Sequence, residues 1–386
     1  MKKILITAAL ILAGLIVGTA FSEIALRIAY HPTDYLRPEL EKHEYLRVKI
    51  KPNSAGFDKW GFRNRSIPEK VDMITIGDSH TIGYNAGIYE TWPHKLAEKC
   101  DMNYYSLGFP GYGPVDYYYL IKEKALQFNP KMIIIGFYMG NELNDSYLAA
   151  YSREKWENLR KENWEEEFDV EVDPAVAALD RPAPKISSWL ERNSLLFSVL
   201  YHYLQPLYVQ LRFPDSKFND PNKPYYEDSE GRISTQFYTS GHEDKLNMEY
   251  PNVQEGWRIT KELILRMKNI CDDNNIELVF FIIPTKEMVY YEVIKSDEML
   301  SKNELLNSQL KWEKQMTDSL DDFFESNSIK FVDGTNYLQN ELKNKSMYRD
   351  HQDGHPLKAG YEAYASIVYY YLVSENLVKE KYITEK

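Results

Sequence analysis

The sequence predicts an α/β fold: a five-stranded parallel sheet between helices, preceded by one N-terminal transmembrane helix and carrying a helical insertion. Three observations carry this expectation. Five short apolar runs are spread along the chain, "DMITIG" (72–77), "NYYSLG" (103–108), "KMIIIGFY" (131–138), "ELVFFIIP" (277–284) and "IKFVDG" (329–334). The stretches between them place apolar residues at helical spacing, and continuous apolar strands alternating with amphipathic helices indicate a parallel sheet covered on both faces. The residues capable of chemistry fall directly after these runs, at the strand ends where such sheets bind their ligands.

The elements follow in order. Met1, Lys2 and Lys3 precede "ILITAALILAGLIVGTAF", eighteen residues without a charge, which is close to the minimum for a membrane span. An uncleaved anchor is the favoured reading, with the lysines on the cytoplasmic side and the remainder of the chain across the membrane. A cleaved signal ending near "VGTA" (17–20) is the second reading and a core helix of a cytoplasmic protein the third. "SEIALRIAYHP" continues the helix past the membrane edge with Glu23 and Arg27 and stops at Pro32, so residues 1–31 are anchor and stalk. Residues 32–69 form a polar linker or N-terminal extension, with a glycine pair in "SAGFDKWGFRN" suited to a loop or short hairpin. The main domain opens at 70–150, with helical stretches "WPHKLAEKC" and "PVDYYYLIKEKALQF". Residues 151–254 interrupt it with an acidic helical part ("REKWENLRKENWEEEFDVEVD"), a bend ("RPAPK"), an aromatic helix ("SWLERNSLLFSVLYHYLQPLYVQL") and a loop from 214 to 246. This insertion reads as a lid or substrate platform. The domain resumes at 255–386 with "GWRITKELILRMKNICDDNN", "NSQLKWEKQMTDSLDDFFESN" and "AGYEAYASIVYYYLV" as helices.

Composition narrows the function. The 386-residue chain is 44% hydrophobic, enough for a substantial core, and carries 58 acidic against 46 basic residues for a net charge of −12. No dense Lys/Arg run is present to neutralise a row of phosphates, so nucleic acid is not the expected partner. The two cysteines, Cys100 and Cys271, stand in no CxxC and beside no His pair. Neither a zinc site nor a disulfide framework is indicated, and one disulfide forms only if the two meet in space. The 31 tyrosines suit both cores and sugar-lined clefts, with packing the favoured use.

Ser79 of "ITIGDSHTIG" (74–83) leaves the first main strand at a turn into helix. Read alone it is an N-cap or a nucleophile. A nucleophile needs a base, and "YRDHQDGHPLKAGYEAYA" (348–365) offers His355 with Asp353 two residues earlier; Asp350 and His351 in the same loop are the second choice. Acyl transfer also needs donors for a developing oxyanion. Gly111 in "SLGFPGYGP" follows the second strand and Asn141 in "YMGNELND" follows the third, with Asn144 as the alternative to Asn141. Lys286 in "IIPTKEMVYYE" reads as a solvated lysine beside a helix start, or less readily as a contact for an anionic substrate.

The ordered set GDS (77–79), the glycine of "GFPGYG", the asparagine of "GNELND" and the acid and histidine of "DGHP" resembles the SGNH (GDSL) hydrolase family. The likeness covers residues 70–145 and 255–375. It implies a flavodoxin-like three-layer α/β/α fold and hydrolysis of esters of lipids, sugars or acylated polysaccharides, with no metal or organic cofactor. It further implies Ser79 as nucleophile, His355 as base, Asp353 as its orienting acid, and an oxyanion hole formed by the Ser79 and Gly111 amides and the Asn141 side chain. Asn141 is followed by Glu142 where the family pattern has Asp, and Asp353 and His355 are two apart rather than three, a spacing shared by some relatives in bacterial polysaccharide modification. The anchor, "WGFRNR" and "IIPTKEMVYYE" look like membrane-tethered bacterial members that add or remove O-acetyl groups on exported glycans. The expected partners are therefore an acylated carbohydrate or lipid ester and, through the N-terminal helix, the membrane.

Overall fold

A computed structural model of the chain describes residues 2–162, 164, 174–179, 185–212, 223–229, 231, 233–238, 243–343 and 345–380. All five apolar runs are strands of one sheet: β1 (Met73–Gly77), β2 (Tyr104–Gly108), β3 (Met132–Tyr138), β4 (Glu277–Ile283) and β5 (Lys330–Asp333). Every pairing is parallel and the spatial order is β2-β1-β3-β4-β5, the doubly wound order of flavodoxin-like sheets. Strand order reverses between β1 and β3, and the crevice at their C-terminal ends is the expected ligand position. Ser79 and Asn141 flank it.

The helices used below are, in chain order, α1 (Lys2–Ala29), α2 (Ser79–Ile82), α3 (Trp92–Cys100), α4 (Pro114–Glu123), α5 (Glu142–Ser152), α6 (Lys185–Asn193), α7 (Leu195–Arg212), α8 (Pro251–Asp273), α9 (Lys286–Val289), α10 (Glu304–Ser326) and α11 (Lys358–Ser374). Because side chains alternate along a strand, each strand feeds two cores. Ile74, Ile76, Ile133, Ile135, Phe280 and Ile282 pack under α4, α5, α8 and the C-terminal half of α10. Met73, Met132, Ile134, Val279, Phe281 and Ile283 pack under α3 and α11. Each such fully buried apolar side chain contributes about 1.5–3 kcal/mol. Tyrosines join both cores: Tyr105, Tyr112, Tyr117, Tyr361 and Tyr364 are fully buried, which accords with the packing use. Cys100 and Cys271 are both free, so the open disulfide option is not taken up.

The segment 32–69 is part of the body rather than a free tether. Its Leu46, Val48, Ile50, Phe57 and Phe62 enter the first core, and Leu40–Glu41 pairs antiparallel with Lys49–Ile50. Arg63 locks it to the loop after α2, donating to the carbonyls of Ile82, Gly83 and Ala86 at 2.8–2.9 Å and pairing with Asp34 at 2.7 Å.

Helix α1 has no buried residue, and its most apolar window has a mean hydropathy of 2.5, long and apolar enough to cross a membrane. Its last turns hold the insertion. Glu23 accepts hydrogen bonds from Ser194 Oγ and from the Leu195 and Leu196 N–H groups, capping α7, and Arg27 donates to the Asn193 carbonyl. Within the insertion, Glu154–Leu159 is a 3-10 helix rather than the start of an acidic α-helix. The rest of that acidic part, at 163 and 165–173, and the bend at 181–184 lie outside the described residues. The loop from 214 is described from residue 223 and contains a small antiparallel ladder, Tyr225–Glu227 with Ser234–Gln236.

Candidate active site

The capping role near Ser79 belongs to Asp78. Its Oδ1 accepts the His80 N–H at 2.8 Å, and Ser79 is the first residue of α2 rather than its cap. The turn that delivers Ser79 requires a glycine before it: a Cβ on Gly77 would stand 2.1 Å from Thr81 Oγ1 and 2.8 Å from the Gly136 carbonyl.

The last loop brings His355 to Ser79. His355 Nε2 lies 2.7 Å from Ser79 Oγ and its Nδ1 lies 2.5 Å from Asp353 Oδ1. Asp353 Oδ1 also accepts the His355 N–H at 3.0 Å, and its Oδ2 accepts from Asn85 Nδ2 at 2.6 Å. Burial pushes the Asp353 carboxyl up, but the hydrogen bond and charge of His355 and the Asn85 amide outweigh it and hold the acid well below the usual carboxylate range. An ionised carboxylate only accepts, so Nδ1 carries the ring proton of the neutral imidazole, and Nε2 is left to accept from the serine hydroxyl. The ring itself is packed between Tyr84 and His80, whose centroids are 5.1 and 4.8 Å away; His80 in turn stacks on Tyr138 at 4.0 Å. The competing pair is directed elsewhere: His351 Nδ1 accepts the Asp353 N–H at 3.1 Å, and Asp350 is exposed.

The loops after β2 and β3, the two neighbours of β1 in the sheet, carry the candidate donors. Gly111 has φ +73, a left-handed conformation that favours glycine, and a Cβ there would meet the tip of the Arg47 side chain. Among the described residues neither the Ser79 nor the Gly111 N–H donates to an acceptor within the chain. Asn141 precedes α5 at the end of β3, and one of its Nδ2 hydrogens goes to Asp145 Oδ2 at 2.5 Å. Asn144 lies inside α5 and makes no described bond to the site.

A group of buried acids underlies these donors. Glu142 Oε1 accepts from Tyr117 Oη at 2.6 Å and from the Tyr138 N–H at 3.2 Å. Burial pushes Glu142 well above its ordinary value, raises Asp145 to about 7 against the pull of Arg47, and raises Asp78 to about 6. Arg47 Nη1 lies 3.6 Å from Asp145 and donates to the Gly111 carbonyl at 3.1 Å.

Asn85, Arg47 and Asp145 were not singled out from the sequence. Asn85 lies between glycines in "GYNAG", in the left-handed region at φ 65, which was the available hint. A cavity of about 860 Å³ adjoins the site, lined in part by Tyr84, Asn85, Phe109 and Arg349 and, on the side of α1, by Tyr30 and Tyr35.

No family model matches the chain, and no curated relative does. Solved structures similar to it include an extracellular lipase from Streptomyces rimosus (10% identity, 77% of this chain and 98% of that chain, TM-score 0.40). A GDSL-like lipase from Bacteroides thetaiotaomicron matches at 12% identity over 78% of this chain and 88% of its own, TM-score 0.35. An acetylxylan esterase from Geobacillus stearothermophilus, a catalytic mutant, matches at 12% identity over 83% and 99%, TM-score 0.34. At these scores the assignment of the site stands on the geometry of this chain.

Proposed function

We propose that the protein is a serine ester hydrolase of the SGNH type, anchored by α1 with its folded part outside the cytoplasm, acting on acyl, chiefly O-acetyl, esters of a cell-envelope carbohydrate. The observation that carries this reading is the continuous chain of hydrogen bonds Ser79–His355–Asp353 at the switch point of the sheet. Ser79 Oγ attacks the ester carbonyl as Nε2 of His355 takes its proton, and Asp353 steadies the imidazolium. Negative charge on the carbonyl oxygen meets the free Ser79 and Gly111 N–H groups and the second Nδ2 hydrogen of Asn141. His355 returns its proton to the leaving alcohol, and the acyl-serine is resolved by water. The ring-lined cavity, whose lining also includes Arg349 and Asn85, suits a sugar portion of the substrate, since aromatic faces and polar tips together hold sugars. Resolution by a sugar hydroxyl instead of water makes the same site an O-acetyltransferase.

A lipid ester or thioester is the second reading. It is favoured by the exposed apolar side chains of α6 and α7, Ile186, Trp189, Leu200 and Leu204, on helices tied to α1. The test of both is release of p-nitrophenol from acetyl and long-chain esters by the full chain in detergent, beside Ser79→Ala and His355→Ala. Turnover of the acetyl ester that both variants abolish supports the leading reading, and turnover of long-chain esters alone moves the assignment to lipids. A chain that turns over neither ester and takes up no fluorophosphonate counts against the serine-esterase reading and leaves the non-enzymatic, glycan-binding reading to be tested by binding of acylated polysaccharide.

A further inference from the structure

Lys286 is neither solvated nor free to meet a substrate, contrary to both sequence-based expectations. It is fully buried at the start of α9, and its Nζ donates to three backbone carbonyls: Gln236 at 2.7 Å, His351 at 2.8 Å and Asp353 at 3.1 Å. An ammonium has three donors and no acceptor, so these carbonyls saturate it. No ion pair joins it to a carboxylate among the described residues, which makes it a buried cation held by dipoles. Two of the carbonyls belong to the loop that carries Asp353 and His355, and the third to the insertion strand Ser234–Gln236.

The loop's other ties include the Asn85 side chain, which donates to Asp353 Oδ2 at 2.6 Å and to the His355 carbonyl at 3.3 Å, and the Leu357 N–H, which donates to the Met347 carbonyl at 2.8 Å. Among the described residues one isolated β-bridge, Tyr348 with Pro356, closes the loop on itself. Without the ammonium, the His351 and Asp353 carbonyls would lose the partner that orients them. The insertion strand is strapped beside it by two further bonds, Thr235 Oγ1 to the Arg349 carbonyl at 3.2 Å and the Tyr238 N–H to Glu287 Oε1 at 3.1 Å.

We propose that Lys286 is a positioning residue: by tying the carbonyls of His351, Asp353 and Gln236 to one point, it sets the stance of His355 toward Ser79 and makes that stance depend on the insertion. The proposal rests on the serine-esterase reading. The ionisable groups facing the ammonium are Glu287 on its own helix and His351 and Asp353 on the loop. Arg349 acts on His351, Glu313 of α10 acts on Glu287, and Tyr238 closes the insertion side. Burial pushes Lys286 down to about 8. A neutral amine has two N–H donors, so one carbonyl is released as the proton leaves.

The test uses the full chain in detergent with p-nitrophenyl acetate. In Lys286→Met, kcat is expected to fall roughly 30- to 100-fold, since misplacement of a catalytic group by about 1 Å carries a cost of that order. KM should stay within about threefold and fluorophosphonate labelling of Ser79 should slow by the same factor as kcat. Lys286→Arg should recover part of kcat and lose the fall in rate centred near pH 8, because a guanidinium keeps its proton. A folded Lys286→Met with kcat within about threefold of wild type, or with a change in KM alone, overturns the proposal. If that variant does not fold, Thr235→Val, which removes the second strap, decides: a kcat loss of roughly three- to tenfold supports the coupling and an unchanged kcat overturns it. A wild type that neither turns over nor labels is a failure of the esterase reading itself, recognisable before any Lys286 variant is made.

Discussion

On one flank of Ser79, Asp353 receives hydrogen bonds from the His355 ring, the His355 N–H and Asn85, and stays ionised; on the other, Asp78, Glu142 and Asp145 lie buried and hold their protons more tightly than usual. The same functional group is thus given opposite states by its surroundings. Three donors favour the anion, while dry burial favours the acid. The proposed chemistry needs both. In it the flank of His355 stabilises a positive imidazolium, the flank of Asn141 accepts negative charge, and ionised carboxylates beside Asn141 would oppose that.

The largest effect should come from the flank of His355 and Asp353. His355→Ala and Ser79→Ala are each expected to lower kcat/KM for p-nitrophenyl acetate by on the order of 10⁴-fold or more, and the double variant should be no worse than either single one. Asp353→Asn, which keeps the shape but favours the wrong ring tautomer, should cost on the order of 10³- to 10⁴-fold in kcat. On the opposite flank Asn141→Ala should cost less, roughly 10²- to 10³-fold in kcat with little change in KM. An effect of Asn141→Ala as large as that of His355→Ala would erase the distinction between the flanks.

Asp145→Asn offers the smallest and most specific change. Asp145 faces Arg47, Lys245, Asp78 and Asp116, and is raised to about 7 by burial. Wild-type kcat should therefore decline as pH rises through 7, and the variant should lack that limb while differing from wild type by about threefold or less at pH 6. The sign for stability is the same. The folded state binds a proton here that the unfolded state releases near pH 4, so stability from this group is lost as pH rises from about 4 through 7. The thermal midpoint of Asp145→Asn should accordingly vary less over that window.

The sheet and its edge were legible because parallel strands covered on both faces leave an unmistakable record, such as the unbroken "MIIIGFY" of β3. The candidate residues Ser79, Gly111, Asn141 and His355 stood out for a related reason: each sits directly after a strand or in the last loop, where local pattern and topology coincide. Lys286, Arg47 and Asn85 were not. Their partners are backbone carbonyls or side chains 50 to 270 residues away, and no spacing rule links a lysine to the Gln236 carbonyl. Burial inverted the expectation for Lys286, since "PTKEM" at a helix start carries no sign that another segment will cover it. The role of 32–69 was hidden likewise: only the fold shows Phe57 and Phe62 reaching the first core and Arg63 gathering the loop after α2.

The most direct test of the central claim, that His355 held by Asp353 activates Ser79, is the rate and position of fluorophosphonate attachment to the full chain, followed by intact mass and peptide mapping. A single adduct on Ser79, formed at least about 100-fold faster in wild type than in His355→Ala and Asp353→Asn, is the predicted result. An adduct elsewhere, or equal labelling of wild type and the two variants, would contradict it.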